Sequence, residues 1–181
     1  KQPIDDELVE ISDWDRRRLE ESFGAVREAL PLSPLQEGLR FHAVGAAEGS
    51  SEVYISQTTL DLVGEVDADR LHGAIKRAIE LTPTLAAGFA EIGGQMVQVV
   101  PADVEVPWRS ERVASKIEAR LIADEEYAAR FDAAHPPLIR FALIRMPDDA
   151  AAIRHRLLLT AHHILLDGWS IRLLYRLVIQ L

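Results

Sequence analysis

The stretch RLLLTAHHILLDGWS, residues 156–170, joins a hydrophobic run to a cluster of polar side chains. Residues 157–161 are apolar except for Thr160, which is the pattern of a strand buried on both faces. Two histidines follow directly, and a short loop then leads to Asp167 and Gly168. A strand holds the residues at its end rigidly while the loop after it opens to solvent. We therefore predict a functional site at the end of this strand.

The two histidines are expected to have different roles. Successive side chains of a strand point to opposite faces, so His162 and His163 cannot both face one substrate unless a bulge intervenes. One is then catalytic and the other structural. A histidine, with its usual pKa near ~6.5, can accept a proton near neutral pH. A metal site built from both rings and Asp167 is not expected, because the rings point apart and a fourth ligand is missing.

The residues after the histidines are expected to shape the loop. The Asp167 carboxylate is suited to hold the loop, either by pairing with an arginine or by capping the helix that contains Trp169. Gly168 permits a sharp turn. From Ser170 onward, apolar residues recur at helical spacing: Leu173, Leu174, Leu177, Val178 and Leu181. The sequence stops inside this helix without a stop signal, which predicts that the chain is a fragment.

Helices and strands are predicted in mixed order along the rest of the chain. The predicted helices lie at 13–29, from Ser33 onward with Gln36 completing a capping box, after Asp67, and at 111–130. The predicted strands lie at 52–62, 85–91, 95–100, 138–146 and 153–162, with Gly93 and Gly94 forming a hairpin turn between the second and third. This order is not a strict βαβ alternation. It predicts an α+β fold with a mixed β-sheet packed against helices.

Composition restricts the class of protein. The chain has 181 residues, 48% hydrophobic, which suits one domain or one lobe. A net charge of −9 argues against nucleic acid or an anionic membrane as a partner. No cysteine is present, so disulfides and thiolate nucleophiles are excluded and a cytoplasmic location is expected.

Four motifs in order resemble the condensation domains of nonribosomal peptide synthetases. Residues 162–168 read HHILLDG, matching the HHxxxDG signature, and 169–170 extend it to DGWS. Residues 31–38 read PLSPLQEG, similar to the first core motif of these domains. Phe131-Asp132 and 137–140, PLIR, resemble the FDxxxxPLxR segment before the active-site strand. The resemblance implies the chloramphenicol acetyltransferase-like fold of the CoA-dependent acyltransferase superfamily.

The resemblance implies a domain organisation and a set of partners. Residues 31–181 correspond to the N-terminal lobe of a condensation domain, truncated before its C-terminal lobe, and 1–30 to a helical linker after an upstream carrier protein. The expected partners are upstream donor and downstream acceptor carrier proteins, the C-terminal lobe and a neighbouring adenylation domain. The substrates travel on the 4'-phosphopantetheine arms of the carriers, and no cofactor is bound directly. The isolated chain is expected to be inactive.

The resemblance also implies roles for single residues. The family reaction is the attack of an acceptor aminoacyl amine on a donor thioester. His163 is implied to be the base or the positioning hydrogen-bond partner, and the motif does not decide between them. His162, Asp167 and Gly168 are implied to shape the active site, with the Gly168 N–H facing the reaction centre. Arg140 is a candidate structural partner.

One segment departs from the family pattern. Where the family has RHxxLRxxF, residues 81–89 read LTPTLAAGF, without the histidine or either arginine. This departure supports one alternative to condensation, a catalytically impaired lobe that only binds a carrier protein. A related epimerisation-type domain is a second alternative, because those domains share the two histidines. A cyclisation domain is disfavoured, because those domains replace the two histidines. The PLSPLQEG and DGWS forms resemble those of domains that accept a D-configured donor.

Overall fold

The computed structural model describes residues 11–44, 54–147 and 152–181, and only the backbone of 40–44. Within these residues the chain forms five α-helices: α1 (Asp13–Phe23), α2 (Pro34–Val44), α3 (Ala68–Leu81), α4 (Lys116–Ala128) and α5 (Gly168–Gln180). The same residues form seven strands: β1 (Val26–Pro31), β2 (Ile55–Val63), β3 (Gly88–Ile92), β4 (Gln95–Pro101), β5 (Trp108–Arg112), β6 (Ile139–Arg145) and β7 (Arg154–His162).

A four-stranded mixed sheet with the order β2-β7-β6-β5 forms the centre of the fold. The central strand β7 is antiparallel to both β2 and β6, and β5 runs parallel to β6 at the edge. Helices α3 and α5 cover one face through Ile75, Ile79, Leu174 and Val178. Helix α4 covers the other face through Ile122. Because both faces are covered by apolar helix surfaces, β7 lies in the middle of the core.

A second sheet of three strands has the order β1-β4-β3 and packs against α1. Strands β3 and β4 form the predicted hairpin, with Ile92 opposite Gln95. The turn residues Gly93 and Gly94 have φ angles of 56° and 82°, a region that glycine enters without steric cost. The two sheets packed with helices confirm the α+β prediction.

The prediction of one helix over 13–29 is wrong beyond Phe23. Gly24 has a φ of 70° and ends α1, and residues from Val26 onward form β1, which pairs antiparallel with β4. The cap is Ser12, one residue before the expected Asp13, and its side chain accepts from the N–H of Asp15. Helical spacing alone could not reveal this change, because β1 forms only when β4 is available as a partner. Residues 1–10 of the predicted helical linker lie outside the described residues.

The edge strand β5 was not predicted. Its sequence, WRSER, is polar after Trp108 and lacks the alternation of a half-buried strand. It forms because β6 offers a free edge, where Trp108 packs on the α3 side and Arg109 pairs with Glu125 and Glu126 of α4. Helix α4 accordingly begins at Lys116 rather than at 111, and the Ser115 side chain caps it.

Candidate active site

The strand that leads to the site is held on both edges and both faces. Residues 157–161 of β7 are all buried, with Leu159 and Ala161 fully so. Their neighbours on β2 and β6 pair with them without interruption. The prediction of a strand buried on both faces is confirmed. The loop that begins at His162 is therefore fixed at its start by the most deeply buried strand of the sheet.

His163 lies just beyond β7, in the turn rather than in the strand. Its backbone N–H donates to the carbonyl of Tyr54 over 2.6 Å. Its ring Nδ1 lies 2.8 Å from the carbonyl oxygen of Leu166. A carbonyl oxygen only accepts, so Nδ1 must carry a hydrogen, and in the neutral ring Nε2 is then the nitrogen with the lone pair. The exposed imidazole thus has Nε2 as the atom able to take a proton.

His162 is the last residue of β7, and its ring accepts a hydrogen bond where the ring of His163 donates one. Its backbone N–H donates to the Leu138 carbonyl over 2.9 Å, and its ring Nδ1 accepts the N–H of Ile164 over 3.2 Å. The half-buried ring lies 6.2 Å from the ring of Tyr54. Burial, and then the nearby His163, lowers the pKa of His162. The ring is therefore neutral near pH 7 and serves as an acceptor within the loop. Strand alternation does not separate the two histidines, because β7 ends at the first of them.

Asp167 closes the loop as the N-cap of α5. Its carboxylate accepts the backbone N–H of Ser170 over 2.7 Å, so of the two predicted roles the structure has the helix cap. That backbone N–H and the Ser170 side chain lower the pKa of the Asp167 carboxyl. Gly168 is the first residue of α5 and has no positive φ, so the expectation that it permits a sharp turn is wrong. A Cβ placed on Gly168 would meet no atom within 4 Å, and the space beside it is open.

Arg140 lies on the α4 side of the sheet, apart from the histidine loop. Its Nε is 3.0 Å from a carboxylate oxygen of Glu126, and both side chains are about 15% exposed or less. Its guanidinium also donates to the carbonyls of Glu126 and Ala129, and it packs 4.1 Å above the ring of Phe131. The motif residues Phe131 and Arg140 therefore touch directly. They hold the end of α4 to the sheet, and Arg140 is not the partner that holds Asp167.

Gln36 connects the first motif to the histidine loop, a contact that sequence analysis did not find. The predicted capping box is present, since the Ser33 N–H donates to the Gln36 side chain over 2.8 Å. The same amide donates through Nε2 to the Ile164 carbonyl over 3.1 Å and to Gln98 Oε1 over 3.0 Å. Gln98 is a buried polar residue of β4. In the sequence, the one signal for this contact is that Gln98 interrupts the hydrophobic run at 97–100. A glutamine buried within such a run needs a polar partner.

A sequence profile of the family described as "Condensation domain" matches residues 26–181. The chain belongs to the condensation domain family. The match begins at Val26, the first residue of β1. The resemblance drawn from the four motifs is confirmed.

Two relatives show how much of a longer protein this condensation-domain chain represents. The nonribosomal peptide synthetase ecdA of Aspergillus rugulosus is 35% identical over 155 residues, which are 84% of this chain and 2% of that protein. Tyrocidine synthase 3 of Brevibacillus parabrevis is 33% identical over 155 residues, 86% of this chain and 2% of that protein. The chain thus spans about 2% of the length of these relatives.

Solved structures of condensation domains share the fold. The condensation domain from Monacolin K polyketide synthase MokA matches with a TM-score of 0.75 at 19% identity, over 86% of this chain and 34% of that one. The first condensation domain of the calcium-dependent antibiotic synthetase, in complex with a substrate analogue, matches with a TM-score of 0.72 at 20% identity, over 84% of this chain and 38% of that one. The chloramphenicol acetyltransferase-like fold prediction is confirmed.

The atypical segment of this condensation-domain chain is packed with small residues. Pro83–Ala86 form a 3-10 helix, and Leu85 and Ala86 belong to the core under α3. A Cβ on Gly88 would lie 2.5 Å from Phe23 Cε1, so a glycine is required there. Of the two positions where the family pattern has arginine, Ala86 is buried in the core and Leu81 is exposed.

Among the described residues, no group of three or more His, Cys, Asp or Glu side chains is arranged to hold a metal ion. None of the described helices is long and apolar enough to span a bilayer. The His162 ring nitrogen that faces Ile164 and the His163 ring nitrogen that faces Leu166 are both used in hydrogen bonds to the backbone.

The cap at Asp167 gives a pH-dependent prediction. The folded-state pKa of this carboxyl lies below its unfolded value of about 3.9. Ionisation of Asp167 therefore stabilises the fold above that pH, and this contribution is lost as the pH falls through the lower folded-state pKa. Asp167→Asn keeps a good N-cap without a titrating group. In urea unfolding at low salt, the advantage of the wild type over Asp167→Asn should be constant at neutral pH and shrink below about pH 4. An advantage that is independent of pH would contradict this role.

Proposed function

We propose that this chain is the N-terminal lobe of a domain that forms amide bonds in nonribosomal peptide synthesis. The donor is an aminoacyl or peptidyl thioester and the acceptor is the amine of an aminoacyl thioester, each held on a carrier protein. The observation that carries the proposal is the orientation of His163 within the family signature. Its Nδ1 is occupied by the Leu166 carbonyl, and its Nε2 is left facing away from that contact.

The chemistry needs little more than positioning and a route for a proton. The acceptor nitrogen bonds to the donor carbonyl carbon, the carbon–sulfur bond breaks, and the donor arm leaves as a thiol. The proton lost by the amine passes to His163 Nε2 and then to the leaving sulfur, or the same ring only orients the amine. Bringing two tethered reactants together supplies a large part of the rate enhancement in such reactions.

Gly168 and Asp167 support this reaction from the start of α5. We assign the Gly168 N–H to the developing oxyanion, because it lies at a helix N-terminus beside open space. Asp167 fixes the same helix start through its bond to Ser170. His162 keeps the loop in shape as an acceptor for Ile164.

The proposed domain organisation follows the family. Residues 31–181 with β1 form the N-terminal lobe, and a C-terminal lobe completes the site. The linker from an upstream carrier protein is assigned to the residues before Val26, because β1 is paired within the lobe. The partners are the donor and acceptor carrier proteins with their 4'-phosphopantetheine arms, and a neighbouring adenylation domain. No directly bound cofactor is required.

The proposal is tested with the complete synthetase module that contains this chain. Donor and acceptor carrier proteins are loaded with aminoacyl thioesters, and products are followed by mass spectrometry after hydrolysis. A dipeptidyl thioester on the acceptor carrier is the expected product. The 181-residue chain alone should give none above the uncatalysed background. Inversion of the donor stereocentre without a new amide would favour an epimerisation domain. Carrier binding with neither reaction would favour a catalytically impaired lobe, as the missing arginines at 81–89 suggest.

A further inference from the structure

The side-chain amide of Gln36 is used on both its oxygen and its nitrogen. Its oxygen accepts the N–H of Ser33 over 2.8 Å. Its nitrogen donates to the carbonyl of Ile164 over 3.1 Å and to Gln98 Oε1 over 3.0 Å. Because a backbone N–H only donates and a backbone carbonyl only accepts, these partners fix which end of the amide faces the loop. Gln36 therefore has one orientation, and its nitrogen faces the histidine loop.

The loop is held at its two ends by other groups. At the start, the backbone of His162 and His163 donates to the carbonyls of Leu138 and Tyr54 on the chain segments beside β7. At the far end, Asp167 caps α5. Ile164 lies between these ends, directly after His163, and its carbonyl meets Gln36.

The anchor behind Gln36 is rigid. Gln98 is 7% exposed and lies in β4, the middle strand of the three-stranded sheet. Its own amide nitrogen is 3.5 Å from the carbonyl of Thr84, in the atypical segment. Hydrogen bonds between partly buried amides restrict the arrangements that their side chains can adopt. The chain of amides thus ties the histidine loop to the second sheet.

We propose that Gln36 is a positioning residue for His163, acting through the Ile164 carbonyl. The geometry of the loop places His163 one residue from this contact, so loss of the bond lets the loop and the imidazole move together. Small displacements of a reacting group are costly, since a shift of about 1 Å can lower a rate by roughly 100-fold. Where the readout is a reaction rate, this inference rests on the proposed amide-forming function.

Two substitutions test the hydrogen bonds of the Gln36 side chain, one by replacing the donor that faces the loop with an acceptor and one by removing all of them. Gln36→Glu keeps the length and the acceptor for Ser33 but turns an ionised oxygen towards the Ile164 carbonyl. Gln36→Met removes all three bonds at similar volume. We expect kcat for amide formation to fall roughly 10- to 100-fold in both, with KM for the loaded acceptor carrier nearly unchanged. The larger loss should occur with glutamate, because an ionised oxygen then faces a carbonyl oxygen and the two repel.

Gln57→Met is the matched control. This second half-buried glutamine also bridges two elements, donating to Ala123 of α4 over 2.9 Å and to Thr160 of β7 over 3.1 Å. It makes no bond to the histidine loop among the contacts of the described residues. Its removal should lower the unfolding midpoint about as much as Gln36→Met while leaving kcat unchanged.

A second readout works without any reaction. Nitrogen NMR of the His163 ring reports which ring nitrogen carries the hydrogen, and the wild type should show the Nδ1–H form. Loss of that preference in Gln36→Glu and Gln36→Met, with Gln57→Met unchanged, supports the positioning role even if the module forms no amide. Unchanged His163 signals in both variants overturn it. Equal loss of kcat in Gln57→Met and Gln36→Met also overturns it, because the effect then comes from general destabilisation.

Discussion

Replacing His163 with alanine should lower the rate of amide formation by roughly 100- to 10,000-fold, the range typical for loss of a general base or its equivalent. The side chain is exposed, and among the described residues its ring bonds to the Leu166 carbonyl alone. The fold should therefore survive the change, with the far-ultraviolet circular dichroism and the urea midpoint close to wild type. The measurement is single-turnover transfer between loaded carrier proteins in the complete module.

His135→Ala is the control for the His163 result. His135 is also exposed, and its ring contacts Asp132 over 2.8 Å, but it lies outside the histidine loop. Its replacement should leave the rate unchanged. Undiminished product in His163→Ala would reduce the residue to a structural one.

Replacing Arg140 with alanine should destabilise the folded chain by roughly 3 kcal/mol, because removal of one partner of a buried ion pair leaves the other charge without its closest cation. Glu126 would remain about 15% exposed, with Arg109 Nη1 at 3.5 Å as its other cation. The substitution also removes the donors to the Ala129 carbonyl and the packing on Phe131. Urea unfolding at neutral pH, followed by tryptophan fluorescence, measures the loss.

Arg156→Ala is the matched comparison for Arg140. Arg156 pairs with Asp61 through two bonds of 2.7 Å and 3.0 Å, so its geometry is as good as that of the buried pair. The side chains are 36% and 63% exposed, however, and water screens their attraction. We expect a loss of less than about 1 kcal/mol. Equal losses for the two arginines would show that burial does not distinguish these pairs.

The elements that the sequence predicted well are those whose signal is local. The apolar run at 157–161 has the short length of a buried strand. Asp67 and Ser33 cap helices through bonds to residues two or three positions away. Gly93 and Gly94 likewise specify a hairpin by their own backbone freedom. These features require no knowledge of the rest of the fold, so a single sequence was sufficient.

The elements that the sequence missed depend on distant partners. β1 follows a helix without a strand-like pattern and exists because β4 pairs with it. β5 is polar on most of its length and exists because β6 leaves an edge open. In both cases tertiary pairing overrides local propensity.

The candidate site shows the same division. The capping role of Asp167 could be predicted from helix-cap chemistry. The ring nitrogen that carries the hydrogen could not, because it depends on where the loop places the Leu166 carbonyl. Gln36 was recognised as part of a capping box, but its second set of bonds reaches a loop that no local pattern connects to it.

The bond from Gln36 to Ile164 spans 128 positions of the chain. A hybrid synthetase that takes the first motif from one parent and the histidine loop from another would separate two groups that are fitted to each other. Such hybrids should retain more turnover when the crossover leaves residues 33–36, Gln98 and the loop from a single parent. Crossovers in the hairpin turn at Gly93 and Gly94 would divide this set between parents, even though that turn is an exposed and otherwise tolerant place to join two sequences.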